Sequence, residues 1–231
     1  MSSAPSLTDI LFAERSKPRG DEAAAHIGDL YKCLRAVWYR RNGFEEEAPD
    51  RELLAKFQIG HDYEHGVAAT LRAAGHDVVE GAEVEFLGLK GHPDLIVGEI
   101  ENVGWKSDWQ YLIETKTTDA RKPKDEVQPH HRVQAAAYAL ALGLSEAVVL
   151  VKHAGSHVET EYWIQPEASR ALIERKAAEI HAQTGPGAPM PPAVPSDVPP
   201  YDECQYCRFR QCERNPKHDR YARLVQEEVP F

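Results

Sequence analysis

The chain has 231 residues, 42% of them hydrophobic and 28% charged, the profile of a soluble globular protein with enough apolar surface for a real core. No apolar run approaches the roughly 20 residues that span a bilayer, and residues 1–20 lack the basic-then-apolar order of a signal peptide, so a cytoplasmic location is expected, the host's if the source is viral. A net charge of −10 argues against a protein that coats nucleic acid, though not against an enzyme that holds metal with acidic groups and keeps its basic residues local.

Residues 1–21 are polar, with Pro5, Pro18 and Gly20, and read as an arm. From residue 29 to 41 the apolar positions Leu30, Cys33, Leu34, Val37 and Trp38 recur at helical spacing, and Asn42-Gly43 ends the helix. A second helix is predicted over 51–74, interrupted by Gly60 and closed by Gly75. Residues 78–86 alternate as a strand, 88–91 read as a turn, and 93–97 and 109–117 as strands. An alanine- and leucine-rich helix over 127–142, strands over 147–152 and 158–164, and a helix over 167–183 follow. Residues 185–201 hold seven prolines and read as an extended linker. A cysteine group comes next, then a short tail helix over about 219–227. This order predicts an α/β fold, one mixed sheet flanked by helices. It divides into an arm (1–21), a core (22–183), a linker (184–201) and a cysteine segment (202–231).

The most informative stretch is Gly91-His92-Pro93-Asp94, followed by Glu114-Thr115-Lys116. Glu114 and Lys116 are two apart on a predicted strand, so both point to one face. Two carboxylates with an ammonium beside them suit a hard cation such as Mg²⁺. Such a site activates water and neutralises phosphodiester charge, and Lys116 is placed to stabilise developing negative charge. Alone, an E-x-K pair on a strand is usually a solvated ion pair; its company gives it weight. Gln134 and Tyr138, four apart, share a helical face just after that strand. On the second helix, Glu64 is the choice for a further ligand, with His65 and His61 as alternatives. The basic groups Arg35, Arg40, Arg41, Arg121, Lys122, Lys124, Arg208, Arg210 and Arg214 lie in three clusters.

Cys204, Cys207 and Cys212 form a C-x2-C-x4-C group, and Cys33 stands far upstream. In a cytosolic protein this set reads as a metal or cluster site before it reads as disulfides. Four thiolates fit zinc or an iron–sulfur cluster. Arg208 and Arg210, inside the cysteine loop, read equally as phosphate contacts or as a solvated rim.

The G-H-P-D, E-T-K and Q-A-A-A-Y segments together resemble motifs of the PD-(D/E)XK nucleases. The likeness is to the RecB-like exonucleases, including CRISPR-associated and phage-encoded members with an iron–sulfur cluster, and runs over about residues 27–214. It implies a restriction-endonuclease-like core in which Asp94 and Glu114 bind Mg²⁺ or Mn²⁺, Lys116 is the catalytic lysine, and Gln134 and Tyr138 form the Q-x3-Y pair. The chain departs from the CRISPR-associated pattern at the first motif, where Glu64 rather than histidine stands four residues after Gly60, as in lambda-type phage exonucleases. The one-plus-three cysteine split resembles the 4Fe–4S cluster that joins the C-terminal segment to the N-terminal helix in the RecB-like exonucleases and the AddB-type helicase–nucleases; zinc is the alternative. The implied activity is metal-dependent hydrolysis of DNA, at single strands or ends, in recombination, repair or phage and CRISPR DNA processing. The competing expectation is a weakly catalytic DNA-binding scaffold of a helicase, recombinase or CRISPR-adaptation complex, with no membrane partner.

Overall fold

A computed structural model of the chain describes residues 23–99, 109–118, 125–193, 204 and 207–215. Five strands make the main sheet in the order β1-β4-β5-β6-β7: β1 (His76–Glu80), β4 (Leu95–Glu99), β5 (Trp109–Thr118), β6 (Ala147–His153) and β7 (Val158–Ile164). Neighbours run antiparallel except β5 and β6, which are parallel, with Glu114 opposite Val149 and Lys116 opposite Val151. A parallel pair needs a crossover, and helix α3 (Pro129–Leu142) supplies it. The expected mixed sheet flanked by helices is the fold.

Period-two alternation along β5 sorts its side chains between two layers. Leu112 packs with Ala147, Val149 and Val151 beneath α3 and α4 (Arg170–Thr184). Ile113 packs instead with Leu95, Val97 and Val148 beneath Ala68 of α2 (Arg51–Ala73). Four fully buried alanines of α3, Ala135, Ala136, Ala137 and Ala139, bring its backbone close to the sheet. α2 begins where the Asp50 carboxylate accepts a hydrogen bond from the Leu53 N–H at 2.8 Å, an N-cap, and stops before Gly75 at φ +93°.

Several predicted bounds shift. Residues 27–29 form a 3-10 turn and α1 is only Leu34–Arg41. Cys33 caps that helix in an extended conformation, ψ 128°, rather than lying inside it. Gly60 does not interrupt α2. The predicted strand over 78–86 breaks at Gly81, φ +62°. Its second half, β2 (Val84–Phe86), pairs with β3 (Leu89–Gly91), which the sequence presents as a turn, in a separate hairpin. The fourth predicted helix begins as a 3-10 turn over Pro166–Ser169. Residues 188–193 carry no helix or strand. The arm, the tail helix, and Arg121, Lys122 and Lys124 lie outside the described residues, and among the described residues no helix is long and apolar enough to cross a membrane.

Candidate active site

Asp94 stands immediately before β4, which pairs with β5 in a register that sets Leu95 against Ile113. This brings its Oδ2 within 2.7 Å of the Thr115 backbone N–H and 2.9 Å of the Thr115 hydroxyl, both of which donate to it. Glu114, on the opposite face of β5, has a side chain only 1% exposed. Lys116 Nζ donates to Glu114 Oε1 at 2.6 Å. Glu114 Oε2 is buried without a hydrogen-bond partner. An unsatisfied buried carboxylate oxygen carries a desolvation penalty that something must offset.

The electrostatics agree with that geometry. Burial pushes Glu114 from the ordinary carboxylate value up to about 7; Lys116 opposes this, and the nearby Asp94 and Glu64 carboxylates add to it. Glu64 on α2 is also raised, by burial first and by Asp94 second. Lys116 keeps its charge because the pull of Glu114 and Asp94 outweighs its own burial. Beyond burial, Asp94 and Glu64 both raise Glu114 and Lys116 opposes them, so the set is short of positive charge. Among the described residues no three His, Cys, Asp or Glu side chains stand in a ready-made metal-holding group. Thr115 holds Asp94, and Lys116 holds one oxygen of Glu114. The orphaned Oε2, with Asp94 and Glu64 beside it, is the feature that fits a divalent cation.

The alternatives on α2 separate cleanly. His61 Nδ1 lies 3.6 Å from Glu64 Oε2 and is half exposed, whereas His65 turns away to Glu80, 2.6 Å from its Oε2. Gln134 and Tyr138 hydrogen-bond to each other, and the Tyr138 phenol is raised by burial and by Glu114. Three contributors were missed by the sequence reading besides Thr115. A Cβ on Gly91 would meet the Tyr138 ring at 2.5 Å, so the glycine of G-H-P-D makes room for the tyrosine of Q-x3-Y. His131 is held neutral, pushed down to about 2 by burial, then by Lys116 and His130. Tyr31 lies near Lys116 and Tyr138, its ring 5.5 Å from that of His130. The signal for His131 was present: residues 131, 134 and 138 share one helical stripe.

The sequence profile of the PD-(D/E)XK nuclease superfamily matches residues 11–212. The chain belongs to that superfamily. The nuclease is similar in fold to the protein solved as SSO0001, with a TM-score of 0.59 and 21% identity over 91% of this chain and 98% of that one. It is also similar to an alkaline exonuclease, LHK-Exo, from Laribacter hongkongensis (TM-score 0.49, 16% identity, 74% of this chain and 89% of that one). The same exonuclease in complex with dAMP matches at a TM-score of 0.47 and 16% identity, over 74% of this chain and 91% of that one. No curated protein matches the chain.

The nuclease has a second concentration of chemistry. Cys33, Cys204, Cys207 and Cys212, none in a disulfide, line one cavity with Tyr39 and Asn215. Burial pushes the Cys207 thiol up to about 11, against a backbone hydrogen bond from Phe209, with the other three cysteines adding to the rise. The segment that brings them is tied down by polar contacts. Arg35 donates to the Pro191 carbonyl at 2.8 Å and to Glu213 at 2.6 Å. Arg208 pairs with Glu46 and Arg210 with Glu47, while the Glu47 N–H donates to the Arg208 carbonyl at 2.9 Å. Asn215 Nδ2 donates to the carbonyls of Cys207 and Phe209. Arg208 and Arg210 are both engaged by acidic residues of the chain, with 40% and 19% of their side chains exposed. Arg40 is likewise engaged, with Asp29, and Arg41 with Thr184.

Proposed function

We propose that the nuclease is a DNA exonuclease that hydrolyses phosphodiester bonds with Mg²⁺ or Mn²⁺ held by Asp94, Glu114 and Glu64. The observation that carries this is the unpartnered, buried Glu114 Oε2, on a carboxylate that burial raises first and that Asp94 and Glu64 both raise further. When bound, a divalent ion supplies an acidified water and neutralises phosphate charge. Thr115 fixes the Asp94 carboxylate with two hydrogen bonds to Oδ2, and Asp94 would be one of the residues holding the ion. Lys116, fully charged, stabilises the negative charge that develops on the phosphate oxygens. Gln134 orients the Tyr138 hydroxyl near Glu114. The bond formed is water oxygen to phosphorus; the bond broken is phosphorus to the leaving sugar oxygen, which takes up a proton. Purified protein with end-labelled single-stranded DNA and Mn²⁺ is the test. Lys116→Ala is expected to lower the rate by about 10²–10³-fold, and equal degradation by both proteins sinks the proposal. Closed single-stranded rings should resist the enzyme if a free end is required.

The four cysteines support a 4Fe–4S cluster, with Zn²⁺ as the alternative, because all four line a single cavity. An anaerobic preparation distinguishes them: broad visible absorption for the cluster, a colourless zinc protein otherwise. A second reading, a weakly catalytic scaffold within a recombination, helicase or CRISPR-adaptation complex, draws on the net charge of −10 and on arginines engaged within the chain. A native complex isolated with no metal-dependent cleavage by the free protein would favour it.

A further inference from the structure

Two demands fall on the Lys116 ammonium. Its Nζ donates to Glu114 Oε1 at 2.6 Å, yet the proposed function has Glu114 hold a cation while Lys116 faces phosphate. A carboxylate beside a bound divalent ion has less charge to offer a lysine. An ammonium has three N–H donors and no acceptor, so the acceptors around it decide where it points. A further carboxylate in that role would cancel the charge the phosphate needs. A neutral acceptor directs the ammonium and leaves its charge intact.

His131 of α3 has the properties of that acceptor. With Gln134 and Tyr138 it stands at i, i+3 and i+7 of the helix; Gln134 bonds to Tyr138, and Glu114 bears on the Tyr138 phenol after burial. The His131 Nδ1 is buried without a hydrogen-bond partner. Burial first, then Lys116 and His130, push the ring down to about 2, so it stays neutral, with one N–H and one lone pair. Leaving a buried nitrogen unpaired costs roughly 1–3 kcal/mol, a cost that contact with the neighbouring ammonium would remove. Packing does not call for that nitrogen. The ring meets His130 at 4.0 Å between centroids, a contact phenylalanine would also make.

We propose that His131 is a positioning residue for Lys116: its Nδ1 accepts a hydrogen bond from Nζ when Glu114 is drawn onto a cation, and this keeps the ammonium aimed at the phosphate. The inference rests on the nuclease reading of Asp94, Glu114 and Lys116, and deepens it by naming what holds the lysine in the working enzyme.

The test is NMR of the full chain carrying ¹⁵N-histidine, with the His131 signals identified by their loss in His131→Phe. In the metal-free protein Nδ1 should be the unprotonated ring nitrogen and Nε2 the protonated one. Saturating Mg²⁺, which is diamagnetic, should move the Nδ1 signal upfield, the direction of a newly accepted hydrogen bond, and should leave it in place in Lys116→Met. With end-labelled DNA and Mn²⁺, His131→Phe should lower kcat about 10- to 100-fold at unchanged KM. His131→Asn, whose side-chain carbonyl can stand in for Nδ1, should recover most of that loss. A proton found on Nδ1, an Nδ1 signal that Mg²⁺ does not move, or one that moves equally in Lys116→Met overturns the proposal. Equal kcat in His131→Asn and His131→Phe also overturns it. Cleavage by the wild-type chain is read separately: an inactive wild type whose Nδ1 signal still answers Mg²⁺ through Lys116 would leave the contact standing and remove the nuclease reading.

Discussion

Glu114 and Cys33 are both buried and both depend on partners distant in sequence, yet the chain holds them by different physics. Glu114 sits on the central strand of a five-stranded sheet, with ladders on both sides and apolar layers above and below. Its position follows from the core. Among the described residues, the segment that closes the cysteine cavity carries only turns, and it is fastened through Arg35–Glu213, Arg208–Glu46 and Arg210–Glu47. Arg35 is buried while its partner Glu213 is exposed; a solvent-exposed pair contributes at most about 1 kcal/mol, and the small Tyr39–Phe209 cluster adds modest burial. The candidate active site is thus positioned by the core, whereas the cysteine segment is held by surface ion pairs and a small apolar cluster.

The largest effect should come from breaking that second attachment. Joining Cys33 to the group at 204–212 closes a long loop, for which chain entropy gives roughly 5 kcal/mol. Cys33→Ser, or removal of the bound group, should therefore release residues 204–215 to protease while the sheet keeps its hydrogen-exchange protection. Simultaneous loss of both would show that the two regions are one cooperative unit. The next effect belongs to the carboxylates. Glu114 rises from an ordinary value of 4.5 to about 7 on folding, so the metal-free fold binds a proton that the unfolded chain has released. That stabilisation is complete below pH 4.5 and disappears as pH climbs through 7, about 3 kcal/mol in all. Denaturant midpoints of the metal-free protein should fall across this window, and Glu114→Gln should flatten the slope. Saturating Mg²⁺ should reverse it, because the ion favours the ionised carboxylate. The smallest is Gly91→Ala, whose methyl would strike the Tyr138 ring. Overpacking of this kind costs roughly 1–3 kcal/mol. Activity should fall further than stability, since the displaced ring sits beside Glu114; an unchanged rate would detach Tyr138 from the chemistry.

The sheet and the carboxylates were legible because they rest on local periodicity. Glu114 and Lys116 share a face by simple alternation, and Gln134 and Tyr138 by the helical repeat. Thr115 was overlooked for the same reason. Alternation sends its side chain to the other face, but its backbone N–H and hydroxyl both reach Asp94 at the strand edge. The β2–β3 hairpin escaped because three-residue strands show almost no period, and its turn has positive φ at Leu87 as well as Gly88. Leucine is a poor signal for that conformation; the His181 imidazole, donating to the Leu87 carbonyl at 2.8 Å, helps to hold it. The arginine pairs were illegible because the partners of Arg35, Arg208 and Arg210 lie more than 150 positions away. No window of sequence contains both ends of such a contact.

The parallel pairing of β5 with β6 has a consequence for biosynthesis. β5 carries both Glu114 and Lys116, but its second edge is covered only by residues 147–153, and Tyr138 arrives with the crossover helix. A nascent chain that has not yet exposed these residues can pair β5 with β4 alone, on one edge, without the helix that carries Tyr138. Non-local parallel pairing is slow to form. The strand that carries Glu114 and Lys116 gains its second neighbour only after residue 153 of 231 has been made, so a shorter nascent chain is expected to lack cleavage activity.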